Sequence, residues 1–303
     1  MTDLAAPTPA AGKGIAVLAA LFTVAIWANF LISTGAVVQF GLGIVEVGLL
    51  RSVACSLALL PVLWRMGIYP KGLAFGRFLV MTVGAGIGFM ALMPLGFQFA
   101  PAGSSGVFAP GLLPLWVAGL SVVFLGEKIG PLRVFGFALI AVGVLAVGGF
   151  DALKAGADGA WKGYLLFACA SFGFSCYAVA QRGSGLTALE ATALISVWTL
   201  PAACIAALIF GADFSGVPLD LLAWTAFAQV ASGVVSILAY TFAIIRLGPS
   251  RASAFMALTP AVVALAAVLV LGEAANPLVW IGVAVVSAGV LVASGILERR
   301  GGA

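Results

Sequence analysis

The sequence predicts an all-α integral membrane protein: ten transmembrane helices, arranged as two inverted five-helix repeats, with both termini cytoplasmic. Three observations carry this prediction. Of the 303 residues, 63% are hydrophobic and only 8% charged, with a mean hydropathy of +1.23; soluble domains carry roughly 25% charged residues. The charges cluster between apolar runs of about 20 residues, the length a helix needs to cross a ~30 Å hydrocarbon layer. Barrel strands would alternate over segments of about 10 residues, and no such pattern occurs. Finally, the chain repeats itself at an offset of 146 residues.

The two copies are clearest over Pro101–Gly149 and Pro249–Gly295. Each opens on proline and small or hydroxyl residues, Pro101-Ala-Gly-Ser-Ser against Pro249-Ser-Arg-Ala-Ser. Each then has a proline in an apolar run (Pro114, Pro260), a Gly-Glu pair (Gly126-Glu127, Gly272-Glu273) and a second proline (Pro131, Pro277). Glycines follow nine and sixteen residues past each glutamate: Gly136 and Gly143, Gly282 and Gly289. This register marks an internal duplication. Weaker echoes extend it, with Gly84, Gly88 and Gln98 meeting Ser232, Ser236 and Arg246 at offset 148, and the Trp27 region meeting Cys176-Tyr177 at 149.

Taken in order, residues 1–13 are rich in Pro, Ala and Thr and read as a disordered cytoplasmic tail. The apolar run at 14–34 is too long for the core of a signal peptide, so it is taken as a retained helix. The later runs cover 44–64, 73–98, 102–125, 130–149, 161–181, 187–210, 218–245, 250–271 and 277–297. Residues 14–150 therefore form the first repeat, 151–160 a periplasmic linker, 161–297 the second repeat, and 298–303 a cytoplasmic tail.

Orientation follows from Lys/Arg placement. With both termini inside, eleven basic residues fall in cytoplasmic segments: Lys13, Arg65, Lys71, Arg77, Lys128, Arg133, Arg182, Arg246, Arg251, Arg299 and Arg300. Outer segments hold only Lys154 and Lys162, and Arg51 sits within the second run. The outer loops otherwise carry acids, namely Glu46, Asp151, Asp158, Asp213, Asp220 and Glu273. Five spans per repeat is an odd number, so the second repeat enters the membrane from the opposite side. Inverted repeats of this kind let two quasi-equivalent halves exchange conformations, as secondary transporters do.

Several classes are excluded by what is missing. The net charge of +4 belongs to topology, since no basic stripe interleaved with aromatics exists to follow a nucleic-acid backbone. The chain has no histidine, which removes Ser-His chemistry and the HExxH zinc motif. The four cysteines (Cys55, Cys169, Cys176, Cys204) lie in apolar runs without CxxC spacing and read as reduced core residues. Neither metal nor cofactor is expected, and the chain is expected to act as a monomer. A channel would need a ring-forming filter or charged lining, and none is visible.

The run Tyr240-Thr-Phe-Ala-Ile-Ile-Arg-Leu-Gly-Pro-Ser-Arg-Ala-Ser, followed by Pro260 and Gly272-Glu273, resembles the drug/metabolite transporter superfamily, in particular its EamA-type ten-helix branch. Leu49-Leu50-Arg51 and the Trp27–Asn29 segment fit the same family, and the resemblance covers essentially the whole chain. It implies a small-metabolite transporter of the bacterial inner membrane, usually an exporter, with a central cavity between the repeats. Within the branch the chain is similar to YddG-type exporters of aromatic amino acids. Small multidrug relatives keep a glutamate in their first helix; this first run has none, and no run carries Asp, Glu or His at mid-depth. Facilitated, gradient-driven export is therefore expected ahead of proton-coupled drug antiport. Coupling through Glu46, near the outer mouth, stays open.

Candidate cavity residues are polar or aromatic side chains inside apolar runs, which are costly in lipid and face a bundle interior or a wet cavity. Gln229, Ser232, Ser236 and Tyr240 lie at i, i+3, i+7 and i+11, on one helical face. Their repeat partners include Gly84 and Gly88, which offer small surface; glycines and serines so placed also suit close helix packing. The fourth run contributes Ser104, Ser105, Phe108 and Pro110, and the ninth echoes it with Ser253, Met256, Thr259 and Pro260. Proline at mid-span frees carbonyls, as a kink or as a binding surface. Trp27, Asn29 and Tyr177 complete the set. Trp64, Tyr69, Trp161, Tyr164, Trp224 and Trp280 read as interfacial anchors. Arg51 reads as a structural pair or snorkelling residue in preference to a carboxylate site, and Glu127 and Glu273 as caps or hinges. The lack of clustered mid-span cations argues against phosphorylated substrates.

Overall fold

A computed structural model of the protein describes residues 10–154, 159–182, 184–247, 252, 255–274 and 277–294. The first apolar run forms α1 (Ala10–Gln39). It passes Thr34, whose hydroxyl donates to the Phe30 carbonyl at 2.8 Å and so costs the helix little. It stops where Gly41 takes φ +100° and the Leu42 N–H reaches back to Val37 at 3.1 Å. The second run is not one straight helix. α2 (Ile44–Ala58) and α3 (Leu60–Met66) meet at 66° around Leu59, because Pro61 lacks a backbone donor and its ring displaces the carbonyl four residues earlier.

The third run is continuous but changes pitch: α4 (Phe75–Met81), a π-helical segment (Thr82–Gly88) and α5 (Phe89–Phe97). The fourth breaks into α6 (Ala102–Phe108) and α7 (Leu113–Leu125) at Pro110 and Gly111. There the Ala109 carbonyl is satisfied by the Ser171 hydroxyl of a neighbouring helix, at 2.7 Å. Then follow α8 (Pro131–Lys154), α9 (Ala160–Arg182) and α10 (Ala188–Phe210). Thr187 and Glu190 start α10 as a capping box, the Thr187 N–H donating to Glu190 at 2.8 Å. The eighth run mirrors the third, with α11 (Leu219–Val230), a π-helical segment (Ala231–Val235) and α12 (Ser236–Leu247). α13 (Thr259–Leu271) and α14 (Pro277–Ala293) end the described chain.

By length and composition, six of the described helices can cross a membrane, or seven if α2 and α3 count as one span. The apolar helices Pro131–Val147, Thr259–Leu271 and Pro277–Ala293 are shorter, so the sequence-based figure of ten exceeds this measure. The outer surface is apolar, with Leu18, Phe22, Leu57, Leu208, Phe210 and Leu269 all exposed, as lipid contact requires. Trp64, Tyr69 and Trp161 are exposed too. Tyr164 departs from the expected anchor role: it is buried and stacks on Phe108, rings 4.5 Å apart.

The duplication is visible in three dimensions. Gly126 and Gly272 both take φ +66°, which ends α7 and α13 with a left-handed turn. The following glutamate N–H groups each return to a carbonyl six residues earlier, on Ser121 and Ala267, at 3.3 Å. Neighbour relations also swap consistently. α9 packs on α5 and α7, as α1 packs on α12 and α13, while α2/α10, α6/α13 and α8/α14 pair across the halves. At the α8/α14 crossing, a Cβ on Gly136 would lie 2.8 Å from the Gly289 carbonyl, and one on Gly289 would lie 2.8 Å from the Gly136 carbonyl. Gly143 and Gly282 are related in the same way at 3.0 Å in both directions. Residue 136 beside 289 and 143 beside 282 means that the two helices run antiparallel, about a two-fold axis between the halves.

Candidate substrate cavity

Between the halves lies a cavity of about 370 Å³. Its lining comes from Thr23, Trp27 and Phe30 of α1, Arg51 and Ser52 of α2, Phe174, Tyr177, Ala178 and Gln181 of α9, and Ala188, Thr192, Ile195, Ser196 and Thr199 of α10. Ala85, Phe89 and Met90 of the third run, Pro110 and Pro114 at the α6/α7 break, and Ser232, Ser236 and Tyr240 of the eighth complete most of it, with Met256 and Thr259. The cavity starts near the middle of the bundle and reaches the helix ends at Gln181 and Ala188. At the opposite end the halves are tied together. Glu273 accepts the Ala102 N–H at 2.6 Å and the Gly103 N–H at 2.9 Å, so it caps α6, a helix of the other half. Glu46 accepts its own helix's Gly43 N–H at 2.9 Å and the Asp213 N–H at 3.1 Å. In the Asp213 loop the carboxylate accepts hydrogen bonds from Ser215, which hold it below the usual carboxylate range.

One wall is aromatic. Phe174 lies edge-on to Trp27 at 6.1 Å and to Tyr177 at 5.2 Å, and tilted against Phe89 at 5.6 Å. Another wall is a ladder of hydroxyls. Thr192, Ser196 and Thr199 of α10 donate to the carbonyls four residues back, at 2.9, 2.8 and 2.7 Å. Ser232 donates to the Gln229 carbonyl three residues back and Ser236 to the Ser232 carbonyl four back, and Ser236 accepts the Trp27 indole N–H at 3.3 Å. Each such oxygen has its proton occupied, so the ladder mainly offers lone pairs to a solute.

Among the described residues Arg51 is the only charged one in the lining. Its Nη1 donates to Gln229 Oε1 at 2.8 Å, and its guanidinium lies over the Phe30 ring at 5.1 Å and the Phe89 ring at 5.9 Å. Gln229 in turn donates from Nε2 to Thr34 at 3.1 Å. Arg51, read from sequence as a structural pair or snorkelling residue, has Gln229 as its structural partner and also lines the cavity. Among the described residues the ion pair joins Arg182 to Glu127 at 3.0 Å, and Arg51 faces the cavity without an acid.

Of the residues read from sequence, Trp27, Pro110, Tyr177, Ser232, Ser236, Tyr240, Met256 and Thr259 line the cavity. Others lie off it. Gln229 is fully buried one layer back, because the π-helical segment after it turns its side chain away from the Ser232–Tyr240 face. Asn29 accepts the Trp224 indole N–H at 2.9 Å and so faces α11. Gly84 packs against α9, where a Cβ on Gly173 would lie 3.0 Å from the Gly84 carbonyl. Gly88 is turned toward the Val83 carbonyl of its own π-helical segment. Ser104, Ser105 and Phe108 are buried between α6 and its neighbours, with Ser105 donating to Ala102 at 2.7 Å. Pro260 is buried against Gly106. Ser253 lies outside the described residues. Sequence reading missed Phe30, Arg51, Phe89, Phe174 and the α10 hydroxyls. Only the last had a local signal, a Thr192/Ser196/Thr199 stripe at helical spacing.

A model of the EamA-like transporter family matches residues 14–149 and again 161–295. The chain belongs to this family. It is thus a multi-pass membrane protein and a small-molecule transporter of the drug/metabolite transporter superfamily, and not an enzyme by kind. Among the solved structures, 24 chains match. One, described only as the crystal structure of a protein, is 19% identical, covers 95% of this chain and 99% of its own, and superposes with a TM-score of 0.62, which shows a shared fold. No curated protein matches by sequence.

Proposed function

We propose that this EamA-like protein exports amino acids with aromatic or apolar side chains across the bacterial inner membrane, as a monomer, by alternating access of two inverted five-helix repeats. The carrying observation is the cavity itself. It draws on both halves and joins an aromatic wall to a hydroxyl ladder and Arg51, while Glu273, which is not part of the lining, ties the halves together by capping α6. In this reading ten spans place both termini in the cytoplasm, so the open end at Gln181 and Ala188 faces inward and the Glu273 end faces the periplasm. Rocking of the third, fourth, eighth and ninth runs exchanges the two accesses. The YddG-type aromatic amino acid exporters are the model for this substrate class.

Transport is proposed to be uncoupled from protons. Among the described residues no Asp or Glu lines the cavity, and Glu46 is occupied capping α2. The same fact disfavours antiport of lipophilic cations, since the field in the cavity comes from Arg51 alone. The test is counterflow in liposomes preloaded with unlabelled amino acids at matched pH. Labelled phenylalanine, tryptophan, methionine and threonine are offered outside. Saturable uptake of the aromatic residues, unchanged between pH 6 and 8, is the expected result. Uptake that requires an imposed pH gradient and prefers lipophilic cations would overturn it.

A further inference from the structure

We propose that Arg51 anchors a carboxylate on the transported solute, and that the cavity recognises this carboxylate and not an ammonium group. The inference rests on the amino-acid reading above and narrows it. A guanidinium held within a membrane bundle with no counter-ion is costly, and such groups are retained where a ligand completes them. Arg51 carries five N–H donors, of which one is used, on Gln229. Its head is fixed on three sides, by Gln229 and by the Phe30 and Phe89 rings, while the remaining side opens on the cavity. Thr34, Gln229 and Arg51 form a chain of hydrogen bonds running from α1 through α11 to α2, which orients the fork before any ligand arrives.

A second observation points the same way. Ser52, 1% exposed, also lines the cavity, and its hydroxyl has no partner among the described residues. It is a donor in waiting in the same lining as the guanidinium. Two carboxylate oxygens match a guanidinium fork, and a free hydroxyl can add a third donor. Among the described residues an ammonium group finds no charged partner in the lining, only neutral groups such as the hydroxyls, the Gln181 amide and aromatic rings. A single arginine also matches a monoanion better than a phosphate dianion. Aromatic monocarboxylates that lack the amino group therefore occupy the same site as the amino acids.

The experiment uses the purified full-length protein and four probes: phenylalanine, 3-phenylpropionate, phenylalaninamide and phenethylamine. Binding is read by calorimetry and by ligand-induced thermal shift. Expected is 3-phenylpropionate within about tenfold of phenylalanine, with the amide and the amine weaker by tenfold or more, the factor that one lost charge-assisted contact gives. Arg51→Gln removes the preference for the acids, and Arg51→Lys, which keeps the charge but not the fork, restores part of it. The proposal is overturned if the amide binds like phenylalanine, or if Arg51→Gln binds 3-phenylpropionate as the native protein does. The ligand series on native protein decides the matter even where the Gln variant does not fold. Arg51-dependent binding of 3-phenylpropionate without amino-acid counterflow would sink the export reading alone. Amino-acid counterflow indifferent to Arg51 would sink this inference alone.

Discussion

Replacing Glu273 by alanine tests whether the end of the bundle opposite Gln181 is held shut by the contact seen there. The side chain supplies both acceptors, to the Ala102 N–H at 2.6 Å and the Gly103 N–H at 2.9 Å, across 171 and 170 residues of sequence. Hydrogen bonds to a charged group contribute about 1.5–3 kcal/mol each net. Glu273 is only half-buried, so the low end applies, and the pair is worth about 2–3 kcal/mol. Loss of that amount raises the population open at this end by about thirty- to 150-fold. Glu273→Gln, which keeps one acceptor and loses the charge, falls between. The assay is the modification rate of a Ser236→Cys probe, with the native cysteines replaced, by a membrane-impermeant thiol reagent offered, in oriented vesicles, from the side on which Glu273 lies. Rate follows open population, so the alanine variant reacts faster by the same factor. A folded Glu273→Ala protein whose rate matches that of its parent refutes the latch.

Three further outcomes follow from geometry already described. Gly289→Ala places a methyl 2.7 Å from the Ile140 backbone nitrogen and 2.8 Å from the Gly136 carbonyl, and is expected to cost about 1–3 kcal/mol. Gly119→Ala, with nothing within 4 Å, is neutral or slightly stabilising, so thermal unfolding in detergent separates the pair. Ser171→Ala orphans the Ala109 carbonyl at the α6/α7 break and is expected to destabilise by about 1–3 kcal/mol, read in the same assay. Phe174→Ala removes the ring that joins Trp27, Phe89 and Tyr177, and is expected to raise KM for phenylalanine at least tenfold while changing that for threonine less. Equal effects on both solutes would show that the aromatic wall does not choose the side chain.

Much of the fold was legible because lipid enforces it. Apolar runs and their basic flanks mark where helices lie, and the repeated Gly-Glu pairs proved to be left-handed helix ends, a backbone conformation glycine adopts at no steric cost. The site was less legible for a specific reason. Placing Gln229 on the Ser232–Tyr240 face assumed 3.6 residues per turn, and the π-helical segment Ala231–Val235 breaks that phase. The same change of pitch at Thr82–Gly88 turned Gly88 into its own helix. Arg51 was undervalued because a lone arginine one or two turns inside a span looks the same in sequence whether it snorkels or faces a cavity. Only the packing of α1, α5 and α11 around it decides between them. Pro110 and Pro260 were equally suggestive on paper, yet one lines the cavity and the other is buried against Gly106.

At the α8/α14 crossing, the ninth position past one glutamate meets the sixteenth past the other, and the sixteenth meets the ninth. The joint is its own complement. A polypeptide carrying a single copy of the repeat therefore already bears both faces of it, and two such polypeptides, one inserted upside down relative to the other, can form it without any new surface. Fusion into one chain fixes the stoichiometry and the relative orientation. It also releases the two copies from having to stay alike away from the joint, which is visible where Gly84 and Gly88 of one half align in sequence with Ser232 and Ser236 of the other. One copy has kept a packing face, and its twin has become the wall of a solute path.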